Sequence, residues 1–199
     1  TVGKAGFITA LYILIVPVLG LLFHKKVPLK IWGCIAIAVV GLYLLCMQDS
    51  FSLSKGDTFV ALCALGFSVH IMVVDYYAAR VDGLKLSCLQ FFVAGLFSII
   101  PMLLTEKPDM QGIFNAWLPI LYGGVFSSGI GYTLQVLGQK YTKPTVASLL
   151  MSLESVFAVL AGIIFLGQIP TLREAIGCLL MFAAIILAQL PERKKKLEA

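Results

Sequence analysis

Charge is scarce in this sequence. Only 13% of its 199 residues are Asp, Glu, Lys or Arg, about half the share found in a soluble domain. A soluble globule of this size has too little polar surface here to cover its core, and a disordered tail or a nucleic-acid binder needs more charge still. Histidine is scarcer: there are two. No second His, Cys or carboxylate stands at ligand spacing from either, so no metal site is expected. The five cysteines, Cys34, Cys46, Cys63, Cys88 and Cys178, lack any CxxC spacing and lie in apolar stretches. They read as small, reduced packing residues. A phosphate-binding loop, a nucleophile triad and a carboxylate pair are all missing, which argues against an enzyme, a cofactor and a nucleic-acid partner. The chain opens at Thr1 and enters an apolar run by Ala5, without a basic lead or a small-residue cleavage site. That run is not a signal peptide; the expectation is a chain whose N-terminal part is missing.

What is abundant is apolar surface, at 60% of residues. A membrane-spanning helix needs about 20 mostly apolar residues. Seven segments qualify: Ala5–Phe23, Ile31–Met47, Thr58–Ala78, Leu86–Leu104, Ile113–Leu137, Thr145–Leu166 and Leu172–Leu190. The runs are too long for strands and lack period-two alternation, so an all-α polytopic bundle in a lipid bilayer is expected. The intervening segments are short and polar, which makes neighbouring helices antiparallel. Orientation follows from Lys and Arg alone. Eleven (Lys25, Lys26, Lys30, Arg80, Lys85, Lys140, Lys143, Arg193, Lys194, Lys195 and Lys196) fall on one side of this arrangement, and four (Lys4, Lys55, Lys107 and Arg173) on the other. The C-terminus is therefore expected in the cytoplasm and Thr1 outside, in a multi-pass protein of the cell membrane.

The first two segments also resemble the last two. Ala5 falls on Ala147, Gly20 on Gly162, Phe23 on Phe165 and Pro28 on Pro170; two residues later in register, Gly33-Cys34 falls on Gly177-Cys178. The matched segments enter the membrane from opposite sides, so the pair reads as an inverted-topology repeat, a device of secondary transporters.

The segments "AGFITALYILIVPVLGLLF", "KKVPLKIWGCIAIAVVGLYLL" and "ASLLMSLESVFAVLAGIIFLGQIPTLREAIGCLLMFAAIILA" together resemble the EamA-type transporters of the drug/metabolite transporter superfamily. Members commonly show Leu-Glu-Pro-Val in the penultimate helix and Leu-Gly-Glu at its end. Here the first reads Leu153-Glu154-Ser155-Val156 and the second Leu166-Gly167-Gln168. The Glu is kept, while Ser155 and Gln168 depart from the pattern. The resemblance implies ten helices in two five-helix repeats, of which this chain would carry seven. Residues 1–49 would hold the last two helices of the first repeat, 50–56 a linker, 57–191 the second repeat and 192–199 a basic cytoplasmic tail. Three helices would be missing, an odd number that agrees with the charge count.

Glu154 is the most informative single residue. It lies about nine residues into its segment, roughly 14 Å at the helical rise, where an ionisable group costs about 2.5–3.5 kcal/mol. Ala158, Ala161 and Gly162 follow on its face, marking a helix contact or a cavity. Two readings stay open: a neutral Glu that joins helices, or a proton or substrate site. His70, about two-thirds of the way along the third segment, reads either as a packed core histidine or as part of a transport path. Asp75 faces interfacial water beside Arg80 in the simpler reading. In "YGGVFSSGIGY", Gly123, Ser127 and Gly131 recur every four residues, as do Gly124, Ser128 and Tyr132. Such ribbons pack helices closely; alternatively Ser127 and Tyr132 line a cavity. Gln90 stands near the inner end of its helix, as polar glue or at the cavity mouth. Trp32, Tyr43, Trp117 and Tyr141 read as an aromatic belt.

The expectation is a secondary transporter of small organic solutes working by alternating access. The resemblance implies export of metabolites or amino acids; coupling to protons and pairing of two copies are further expectations. A membrane enzyme would need clustered His, Asp or Glu at one face, and a non-transporting structural or sensor bundle is the alternative.

Overall fold

The structure is a computed structural model that describes residues 2–47, 54–106, 108–167 and 169–190. Among them the chain is all helix and turn. In order come α1 (Val2–Ala10), α2 (Tyr12–Leu22), α3 (Leu29–Cys46), α4 (Lys55–Ala78), α5 (Gly83–Thr105), α6 (Met110–Asn115) and α7 (Trp117–Leu121). A π-helix (Tyr122–Tyr132) follows, then α8 (Thr133–Gln139), α9 (Pro144–Met151), α10 (Glu154–Leu166) and α11 (Leu172–Gln189). Seven stretches of the described residues are long and apolar enough to cross a membrane: Lys4–Leu22, Leu29–Cys46, Lys55–Ala78, Gly83–Thr105, Trp117–Gln139, Pro144–Leu166 and Leu172–Gln189. They match the seven segments read from the sequence, and the protein is a polytopic helical membrane protein. Most of the expected linker, Gln168 and the basic tail lie outside the described residues.

The fifth stretch starts later than expected, at Trp117 rather than Ile113. The expected start lies inside α6, a separate short helix that ends at Asn115, with Ala116 adopting a non-helical turn between α6 and α7. Pro119 sits in the first turn of α7, where its missing N–H costs nothing.

Two compact units divide the chain, Thr1–Met72 with Pro144–Ala199, and Val73–Lys143. The first is built on α3 and α11, which pack along their length. Lys30 Nζ donates to the Leu190 carbonyl at one end, and the Arg173 guanidinium lies 5.3 Å over the Tyr43 ring at the other, so the two helices run antiparallel. Between these ends the backbones touch. A Cβ built on Gly41 would lie 3.0 Å from the Gly177 carbonyl oxygen, and one on Gly177 would lie 2.8 Å from that of Gly41. Only glycine permits this approach. Around the crossing, Ile13, Val16, Ile35, Leu42, Ile71, Leu149, Val156 and Met181 are fully buried, and α2 packs on α9.

Helix ends in this unit carry recognisable stop and start chemistry. α10 ends on Gly167 at φ +63°, a left-handed conformation that closes helices. α11 opens with a capping box: Glu174 N–H donates to Thr171 Oγ1 at 3.3 Å, and Thr171 N–H donates to Glu174 Oε2 at 2.7 Å, satisfying two orphan donors reciprocally. Lys4 Nζ meets Asp57 Oδ2 at 2.5 Å with both side chains only 12% exposed. The Ser54 N–H and hydroxyl donate to the same oxygen, so the start of α1 is tied to the start of α4.

The second unit is lightly packed. Val74, Ala78 and Val136, with Leu86 against them, form its apolar cluster. Asp82 caps α5 by accepting from the Lys85 N–H at 3.0 Å. A Cβ on Gly83 would fall 2.8 Å from Leu137 Cδ2, so glycine lets α5 start hard against α8.

Candidate functional site

The sequence pattern suggests uniform α-helices for the first and sixth stretches; each is one continuous helical span, but each breaks its α-winding for a short, tighter turn. The first breaks at Leu11, between α1 and α2, where the Leu11 N–H donates to the Ile8 carbonyl three residues back at 3.2 Å. Pro17, nearly two turns further on, has no N–H to offer the Ile13 carbonyl. The sixth breaks at Ser152-Leu153, between α9 and α10. Here Leu153 N–H donates to Leu150 O at 3.1 Å and Ser155 N–H to Ser152 O at 3.3 Å, the tighter i→i+3 pattern. Two buried hydroxyls reinforce it: Ser148 Oγ donates to Thr145 O at 2.8 Å and Ser152 Oγ to Leu149 O at 2.6 Å. Serines bonded back to the preceding turn bend a helix. In a membrane core, such irregular backbone is tolerated only where protein or a water-filled cavity surrounds it.

The two breaks correspond. The offset that places Ala5 on Ala147 also places Leu11 on Leu153, and Tyr12 on Glu154. Each resumed helix therefore opens on a residue with a polar end: α2 on Tyr12, α10 on Glu154. Glu154 is exposed and follows directly on the tighter turn, near the middle of the Pro144–Leu166 span.

His70 belongs to the same unit. It is half-buried on α4, its ring stacked on Phe67 with centroids 5.9 Å apart and planes at 19°. Phe67 in turn meets Tyr12 edge-on at 5.2 Å. A run of rings thus leads from the break in the first stretch to His70. Tyr12 was missed in the reading of single residues; its match to Glu154 in the repeat was the available signal.

Ser127, Tyr132 and Gln90 lie in the second unit. Ser127 and Tyr132 are exposed on the π-helix, and Gln90 is half-buried on α5. The four-residue ribbons expected here do not form a packed seam. Nothing lies within 4 Å of a Cβ built on Gly123 or Gly124, while one on Gly129 meets the Gly124 carbonyl oxygen at 3.2 Å. The i→i+5 winding sets the carbonyl five residues back against that Cβ. The Gly83–Leu137 contact and the packing of Leu86 on Val136 set the antiparallel register of α5 and α8. Carried along both helices, the Gly83–Leu137 contact puts Ser87 level with Thr133 and Gln90 level with Ile130. Among the described residues no three His, Cys, Asp or Glu side chains gather where they could hold a metal ion.

Against this geometry the likeness to known proteins can be read. Residues 54–190 match the EamA-like transporter family. An uncharacterized transporter of Archaeoglobus fulgidus is 30% identical over 96% of this chain and 61% of its own length. Protein PecM of Dickeya dadantii is 27% identical over 98% of this chain and 68% of its own. A crystal structure with 21% identity superposes with a TM-score of 0.76, covering 94% of this chain and 67% of that one, which shows the shared fold. The chain thus spans about 61% of the length of the Archaeoglobus relative. The chain belongs to the EamA-like transporter family.

Proposed function

We propose that the chain is the larger part of a secondary transporter that moves small organic solutes, metabolites or amino acids, outward across the cell membrane by alternating access. Its C-terminus lies in the cytoplasm in this reading, on the strength of the eleven-to-four division of basic residues. Residues 1–49 and 57–191 then belong to two inverted repeats. The observation that carries the reading is the pair of helix breaks at matched positions, Leu11 and Leu153. Irregular helix turns in corresponding positions of two inverted halves support a site at the interface between the repeats, near the middle of the membrane. Glu154 and His70 are the titratable groups of this path, with Glu154 the proton-coupling residue, and Ser127, Tyr132 and Gln90 supply hydroxyl and amide contacts.

The test is transport by the full-length protein in vesicles against a panel of metabolites and amino acids. Glu154→Gln keeps the shape and hydrogen bonding and removes the titratable proton. Loss of pH-dependent accumulation in a folded Glu154→Gln protein is the expected result. Wild-type pH dependence in that variant would remove Glu154 from the coupling role, and no transport of any compound would sink the whole reading.

A further inference from the structure

The second unit holds an unusual pair of amides. Gln135 and Gln139 are four residues apart on α8 and so share one face. Gln139 is only 4% exposed, yet neither its Oε1 nor its Nε2 has a hydrogen-bond partner among the described residues, and the Nε2 of half-buried Gln135 has none either. A buried polar atom without a partner is costly, and native structures rarely keep one without a use. On α5, which packs on α8, Ser87 is buried as well. The Ser87 hydroxyl hydrogen is already given to the Gly83 carbonyl at 2.9 Å, which leaves its oxygen able to accept. Val136, between the two glutamines in sequence, is fully buried in the cluster with Val74 and Ala78.

We propose that Gln135 and Gln139 form a ligand subsite for a planar edge that presents one hydrogen-bond donor and one acceptor side by side. A free carboxamide bonds such an edge with two parallel hydrogen bonds, as glutamine does with adenine. A primary carboxamide and an aminopurine both carry that edge. A carboxylate, which only accepts, satisfies half of it. The subsite rests on the transporter reading only in treating the ligand as cargo; binding itself is measured without transport.

The experiment uses the full-length protein in lipid nanodiscs, with thermal unfolding as the readout. L-glutamine and adenine are the probes; L-norleucine and purine, which match their shapes and lack the paired edge, are the controls. At least one probe raises the wild-type midpoint and its control does not; which one responds tells carboxamide from aminopurine. In Gln139→Met the same shift requires about tenfold more probe, the loss of roughly two modest hydrogen bonds. The ligand-free midpoint of Gln139→Met equals or exceeds the wild type, because an unpaired buried amide has been replaced by an apolar chain of similar length. Gln135→Met weakens binding by a smaller factor. The proposal is overturned by a several-degree drop in the ligand-free midpoint of Gln139→Met, by an unchanged probe response in that variant, or by a wild type that responds to neither probe. Binding lost in Gln139→Met without transport of any compound would leave the subsite standing and sink the transporter reading. Transport alongside unchanged binding in Gln139→Met would do the reverse.

Discussion

The two units solve the same problem, a bundle of apolar helices in lipid, with very different amounts of packing. In the first, α3 and α11 meet backbone to backbone at Gly41 and Gly177, and a cluster running from Phe7 to Ile185 is buried. In the second, α5 buries Ser87 alone, and Phe92, Phe97, Leu103 and Leu104 are more than 60% exposed. Lipid tails are as apolar as these side chains, so exposure there carries no hydrophobic penalty. The difference teaches that packing in the membrane is a local choice. It is spent where helices must keep a fixed crossing, and withheld around the π-helix, whose backbone would not fit a tightly packed seam.

Core truncation gives the largest contrast. Leu149→Ala or Met181→Ala in the first unit opens a cavity among fully buried neighbours and should lower stability by about 2–5 kcal/mol. Leu103→Ala, at a side chain 66% exposed, should stay within about 0.5 kcal/mol of the wild type. Thermal or denaturant unfolding in one detergent measures both; equal effects would break the comparison. Next in size is the glycine crossing. Gly177→Val drives a branched side chain into the Gly41 carbonyl and Leu45 and should cost about 1–3 kcal/mol by overpacking. A neutral result would mean that α3 and α11 are free to separate.

Much of this architecture was legible in the sequence, and for a physical reason. A bilayer demands runs of about 20 apolar residues, so the seven stretches stand out, and most of their ends fall within three residues of the expected ones. Glu154 was equally visible, since an ionisable group in such a run is costly wherever it points. The breaks were not. Ser148 and Ser152 are acceptable helix residues, and nothing in their spacing says that their hydroxyls bond backward rather than outward. Pro17 did advertise trouble, but the break lies at Leu11, ahead of it. The glycine-rich stretch was read as α-helical ribbons because glycine and serine spacing says nothing about whether bonds close at four residues or five. Gln139 was silent because burial of a lone amide near a span end leaves no pattern.

A smaller effect tests whether the break in the sixth stretch is maintained by its serines. Ser152→Ala removes the hydroxyl bond to the Leu149 carbonyl and should change stability by no more than about 1 kcal/mol. Its larger consequence is on rate. If the bend serves transport, a straighter α9–α10 junction slows solute exchange while folding is kept. Transport at the wild-type rate would make the bend incidental.

The smallest predicted difference concerns the π-helix itself, and it sharpens the contrast between the units at single-methyl resolution. Gly123 and Gly129 both lie in Tyr122–Tyr132, both without a side chain and both poor helix formers. A Cβ on Gly123 enters open space, so Gly123→Ala should stabilise by up to about 1 kcal/mol through propensity alone. A Cβ on Gly129 meets the Gly124 carbonyl oxygen at 3.2 Å, a contact that exists only because the winding brings residues five apart together. Gly129→Ala should therefore forfeit that gain, and the two variants should differ by roughly the helix-propensity step of about 1 kcal/mol. Paired unfolding curves measure the difference. Equal stabilisation by both would show that the segment winds as an ordinary α-helix in the folded protein. That outcome would restore the four-residue ribbons as a packing face and remove the reason for the light packing of the second unit.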